Sequence, residues 1–131
     1  AHFAITEVRL GLIPSIISPF VINAIGESHA RRYFLTGERI SSSEAERIGL
    51  VHEVVPDEAL AVCGETFVKM LMRGGPTALS EAKALIATVH ARPLDNEMLV
   101  DLAHRIARVR VSDEAQEGMG AFLEKRKPNW Q

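Results

Sequence analysis

The chain has 131 residues, 47% of them apolar, 24% charged and 5% aromatic, which is enough for one packed globular unit spanning residues 1–131. Fifteen Lys and Arg against seventeen Asp and Glu leave a formal charge of −2, and this balance argues against a nucleic-acid partner. The longest uncharged stretch, residues 10–26, is broken by Pro14 and Pro19 and is too short to span a membrane; a single cysteine, Cys63, and the lack of a signal-like start point to the cytoplasm.

The chain opens without Met in an apolar run, residues 1–5, that reads as a strand already under way. The only other strand-like segment is residues 49–55. Two short strands do not make an independent sheet, so the chain is expected to be part of a longer one. Pro14 and Pro19 bracket a turn into a short apolar helix over residues 19–25, ended by Gly26, and a second helix over 27–35 stops at Thr36 and Gly37. Arg31 and Arg32 stand side by side there, so at least one faces water or an anion. Residues 43–46, Ser-Glu-Ala-Glu, have the spacing of a capping box, with Gly49 closing the helix.

Pro56 and Asp57 turn into a helix whose apolar residues Leu60, Cys63, Phe67, Met70 and Leu71 are expected to bury one face. Gly74, Gly75 and Pro76 start another, with Leu79, Ala82, Ile86 and Val89 on one stripe. Pro93 repeats the device for a helix over residues 94–109, striped by Leu94, Met98, Leu102, Ile106 and Val109. A last helix begins near Ser112, Asp113 and Glu114, carries Met119, Phe122 and Leu123, and runs into a basic cluster at 125–127. The expected class is therefore mainly α with two short strands.

The five histidines never fall at the i, i+4 spacing of a helical metal site and there is no cysteine pair, so no metal is expected. Nucleophile elbows and glycine-rich phosphate loops are also missing. Glu7, at the end of an apolar strand and beside the uncharged stretch, has two readings. It is either an exposed carboxylate paired with Arg9 or water, or a partly desolvated one fit for proton transfer. Lys125, Arg126 and Lys127 either answer a helix dipole or hold phosphates; Phe122, one turn before Lys125, either packs or offers a stacking face.

Four segments, in this order and spacing, resemble the enoyl-CoA hydratase/isomerase (crotonase) family. They are Thr-Glu-Val-Arg-Leu-Gly-Leu-Ile-Pro at residues 6–14, Tyr-Phe-Leu-Thr-Gly-Glu-Arg-Ile at 33–40, residues 45–51, and Ala-Phe-Leu-Glu-Lys-Arg-Lys-Pro at 121–128. The resemblance covers the whole chain and matches the C-terminal half of the family's usual length. It implies the helical C-terminal region of an α/β spiral fold, a homotrimer or hexamer, and an acyl-CoA thioester as substrate, with no further cofactor. It also implies an enolate-like oxyanion held by backbone N–H donors that lie in the other half.

By the same resemblance Glu7 is the candidate catalytic acid/base, Pro14 and Ser15 lie beside the substrate, and Phe122 and Lys125 lie near the CoA nucleotide. After Pro14 most of the family has a Gly-Ala-Gly-Gly-Thr run, where this chain reads Ser-Ile-Ile-Ser-Pro-Phe. That form resembles the branch of methylglutaconyl-CoA and carboxygeranoyl-CoA hydratases. The implied reaction is addition of water to a 2-enoyl-CoA. Alternatives are isomerisation or thioester hydrolysis on the same fold, or an oligomerisation and binding module without activity.

Overall fold

A computed structural model describes all of residues 1–131, and the chain divides into two compact units, Ala1–Ala59 and Leu60–Gln131. In the first unit, strand β1 (His2–Phe3) pairs antiparallel with β2 (Ile40–Ser41), His2 opposite Ser41 and Phe3 opposite Ile40. Residues 49–55, expected as the second strand, do not form one. Helix α2 (Ser42–Arg47) ends just before them, Gly49 turns at φ 82°, and the N–H groups of Leu50 and Val51 both bond back to the Ala45 carbonyl, at 2.8 and 3.3 Å. The Val54 N–H is taken by the Glu46 carboxylate at 3.0 Å, so donors that a ladder would need are already satisfied.

Helix α1 (Ser18–Thr36) consists of two segments meeting at Gly26, close to the expected boundary. Gly26 has φ 74° and ψ 163°, an extended positive-φ conformation open essentially to glycine alone. Gly37 ends α1 in the left-handed region and returns its N–H to the Tyr33 carbonyl at 3.1 Å. Ile25, Ala30 and Tyr33 from α1, Ile40 from β2, and Ala45 with Ile48 around α2 form the core of this unit. Arg31 and Arg32 are both exposed, held by Glu27 and Glu38 respectively.

The N-cap of α2 is Ser41, two residues earlier than the expected Ser43. Ser41 is still extended, at φ −67° and ψ 161°, and its Oγ accepts the Glu44 N–H at 3.2 Å. Ser43 already lies inside the helix, and the Glu46 carboxylate bonds forward to Val54 instead of back to Ser43.

The second unit holds four helices, α3 (Leu60–Leu71), α4 (Pro76–His90), α5 (Asn96–Arg110) and α6 (Asp113–Leu123). The apolar stripe expected to bury one face of α3 does not do so. No residue of α3 is buried, and Leu60, Met70 and Leu71 stay at least half exposed, because no apolar surface within this unit covers them. Helix α4 begins at Pro76 as expected. Helix α5 begins at Asn96, later than the proline-led start at Leu94. Asp95 is extended and its side chain accepts the Met98 N–H at 2.8 Å, which makes Asp95 the cap and leaves Pro93 outside the helix. Ser112 caps α6 by accepting the Ala115 N–H at 3.3 Å.

Gly75, at the N-cap of α4, has no side chain to offer, and Glu114 of α6 does that work. Its carboxylate accepts the N–H groups of Thr77 and Ala78 at 2.9 and 2.7 Å. A Cβ on Gly75 would run into that carboxylate. Burial works to raise the Glu114 carboxyl's pKa, but the two backbone donors outweigh it and hold it below the ordinary value. No helix is long and apolar enough to cross a membrane.

Candidate active site

Glu7 opens a four-residue 3-10 turn, Glu7–Leu10, and does not end the opening strand, which stops at Phe3. The turn forms because the Thr6 carbonyl accepts the Arg9 N–H at 2.9 Å and because Gly11, at φ 71°, can close it in the left-handed region. The Leu12 N–H then returns to the Glu7 carbonyl at 3.0 Å, which folds residues 12–15 back past the glutamate. Two further bonds hold the next bend: Ser15 N–H to the Ile13 carbonyl at 2.9 Å, and Ser18 Oγ to the Ser15 carbonyl at 2.9 Å.

This backbone path brings Glu7, Pro14 and Ser15 to one cavity of about 160 Å³, whose other walls are Ile13, Ile16 and Ile17. Glu7 is half-buried and its carboxylate makes no ion pair within the chain. The alternative in which Glu7 pairs with Arg9 is not what the structure shows, since the Arg9 guanidinium is turned to the Thr36 carbonyl, 3.5 Å away. An unpaired carboxylate beside a hollow walled by isoleucines can accept a proton from water or return one to a bound molecule. The isoleucine walls were visible in the sequence only as a departure from the family's glycine run.

Phe122 and Lys125 lie in the other unit. Phe122 is 81% exposed on the last turn of α6. Lys125 falls beyond the helix, at φ 55°, so the two do not share a helical face as their spacing suggests; the Lys125 N–H still bonds the Phe122 carbonyl at 3.2 Å. Of the three clustered cations, Arg126 is occupied, reaching Glu117 at 2.6 and 2.7 Å and Glu124 at 2.6 Å. The Arg126 guanidinium, helped by the Asn129 N–H, pulls the Glu117 carboxyl down to about 2 against the opposing effect of burial. Lys125 and Lys127 are in no ion pair.

In the second unit, a hollow of about 380 Å³ among α4, α5 and α6 holds carboxylates that are already committed: Glu114 to α4, and Glu81 to Arg108 at 2.9 Å. No three His, Cys, Asp or Glu side chains converge as metal ligands would.

The family model described as enoyl-CoA hydratase/isomerase matches residues 1–131. Among solved structures, an enoyl-CoA hydratase from Shewanella pealeana is 40% identical and superposes with a TM-score of 0.93 over 99% of this chain and 48% of its own. Enoyl-CoA hydratase EchA19 of Mycobacterium tuberculosis is 32% identical over 132 residues, covering 100% of this chain and 49% of the relative. The (E)-benzylidenesuccinyl-CoA hydratase of Thauera aromatica is 31% identical over 130 residues, 98% of this chain and 50% of that protein. The chain spans about half the length of the relatives it matches.

Proposed function

Since the chain belongs to the enoyl-CoA hydratase/isomerase family, we propose that in a protein of its relatives' length it supplies half of an acyl-CoA hydratase site, with Glu7 as acid/base. The observation that carries this reading is the half-buried, unpaired Glu7 carboxylate sharing a cavity with Pro14 and Ser15. The reaction adds water across the 2,3 double bond of an enoyl thioester. The water oxygen bonds to the β-carbon, charge passes to the thioester as an enolate, and Glu7 moves a proton between water and the α-carbon. Pro14 and Ser15 line the acyl end. Phe122 offers an exposed ring and Lys125 a free cation to the CoA nucleotide, and the thioester needs no further cofactor.

The isoleucine-walled cavity, in place of a glycine run, supports an acyl group other than a short straight chain, and the Thauera relative is named for a carboxylated enoyl-CoA. Both fit the branch of methylglutaconyl-CoA and carboxygeranoyl-CoA hydratases. Large apolar side chains left exposed on α3 and α5, among them Leu60, Val68, Leu99 and Ile106, support a homotrimer or hexamer that covers them.

Product analysis tests the reaction. The longest natural form of the protein is incubated with crotonyl-CoA and with methylglutaconyl-CoA, and a 3-hydroxyacyl-CoA is expected from at least one. A shifted double bond would establish an isomerase instead, and release of free CoA a thioesterase.

A further inference from the structure

The 3-10 turn that carries Glu7 packs against α1, and one side-chain hydrogen bond joins the two. Arg9, two residues after the glutamate, lays its guanidinium across the C-terminal end of α1, with Nη2 3.5 Å from the Thr36 carbonyl oxygen. The last turn of α1 has no basic residue of its own, so its outward-facing carbonyls and the negative end of its dipole lack a local cation. Arg9 brings one from elsewhere in the chain. Beneath it lies Gly37, buried and in the left-handed region at φ 60°. A Cβ there would stand 3.0 Å from Arg9 Nε and 3.5 Å from both Arg9 Cγ and the Ile5 carbonyl oxygen. Glycine at position 37 therefore serves twice: it ends the helix, and it leaves the seat on which the arginine side chain rests.

We propose that Arg9 is a positioning residue for Glu7, anchoring the 3-10 turn to the capped end of α1 so that the carboxylate stays at the cavity it shares with Pro14 and Ser15. This rests on Glu7 being the acid/base. The arginine is exposed and does not line the cavity, so its effect on catalysis passes through the backbone of the turn. Loss of the anchor leaves the turn to its backbone bonds and its packing on α1, and displacement of a reacting group by about 1 Å costs on the order of 10²-fold in rate.

Four forms of the full-length protein separate the possibilities: Arg9→Ala, Arg9→Lys, Glu7→Gln, and Arg9→Ala with Glu7→Gln, each assayed with kcat and KM resolved on whichever of crotonyl-CoA and methylglutaconyl-CoA the wild type hydrates. Arg9→Ala is expected to lower kcat about ten- to a hundredfold with KM nearly unchanged. Arg9→Lys, which keeps a cation near the Thr36 carbonyl, should recover most of that loss. In the Glu7→Gln background the Arg9→Ala change should add nothing, because the group it positions is gone. If Glu7→Gln lowers hydration strongly while Arg9→Ala keeps wild-type kcat, or multiplies the loss in the double variant, the anchor is refuted and the acid/base reading survives. If Glu7→Gln hydrates at the wild-type rate, the acid/base reading falls and the anchor's catalytic role with it. Melting curves of the Arg9 variants identify any loss that comes from unfolding, and a variant unfolded at assay temperature is replaced by Arg9→Gln.

Discussion

Glu44 links three parts of the first unit. It accepts the Tyr33 hydroxyl at 2.8 Å and the Arg47 guanidinium at 2.6 Å through each carboxylate oxygen, while its own N–H bonds the Ser41 cap. Hydrogen bonds from Arg47 first, and then Tyr33, bring its pKa from 4.5 to about 2. A carboxyl depressed on folding stabilises the folded state fully above its unfolded pKa and loses that contribution as the pH falls toward the folded value. Stability of the chain is therefore expected to drop between about pH 4.5 and 2, with Glu117 adding to the fall over the same window. Glu44→Gln should lower stability at pH 7 and flatten the acid limb, read by urea denaturation at a series of pH values; an unchanged limb would contradict the assignment. Sequence spacing identified Glu44 only as part of a capping pattern, because the Tyr33 hydroxyl reaches it from 11 residues away.

Among the elements, a strand of only two residues holds one of the most deeply buried side chains. Ile40 is fully buried in a two-residue strand, between the α1 residues Ile25, Ala30 and Tyr33 and the α2 residue Ala45. Ile40→Ala is expected to cost about 2–5 kcal/mol through lost apolar transfer and the cavity left behind, measured by chemical denaturation. A cost under about 1 kcal/mol would mean that the core described here is not formed. What was legible in the sequence was local: the break at Gly26, the Ser112 cap and the proline start of α4 each depend on residues within one turn. The β1–β2 pairing was not, since a two-residue strand has no periodicity and its partner is set by packing far along the chain. The 3-10 turn at Glu7 was missed for a related reason: the apolar run at residues 1–5 reads as a strand ending at Glu7, and the turn depends on Gly11 closing the backbone beyond it.

At the scale of the whole molecule, helical stripes were legible but their burial was not. The apolar positions of α3 follow the expected spacing, yet a face is buried only when something covers it, and that covering is not encoded in the helix. The 131-residue chain by itself is therefore expected to associate and to bind hydrophobic dyes, whereas a protein of its relatives' length should form a defined trimer or hexamer by light scattering. A full-length monomer that stays monomeric at high concentration would contradict that assembly. The candidate site follows the same division: Glu7, Pro14 and Ser15 were read from a short motif, and their common cavity required the turn geometry to be seen.

The most direct test is hydration by full-length protein with Glu7→Gln, a change that keeps shape and removes the ability to take up a proton. The expected result is a loss of about 10²–10⁴-fold in kcat, the usual contribution of a general acid/base, with CoA affinity and melting behaviour retained. Hydration at the wild-type rate would contradict an acid/base role for Glu7 and leave its cavity without a catalytic role.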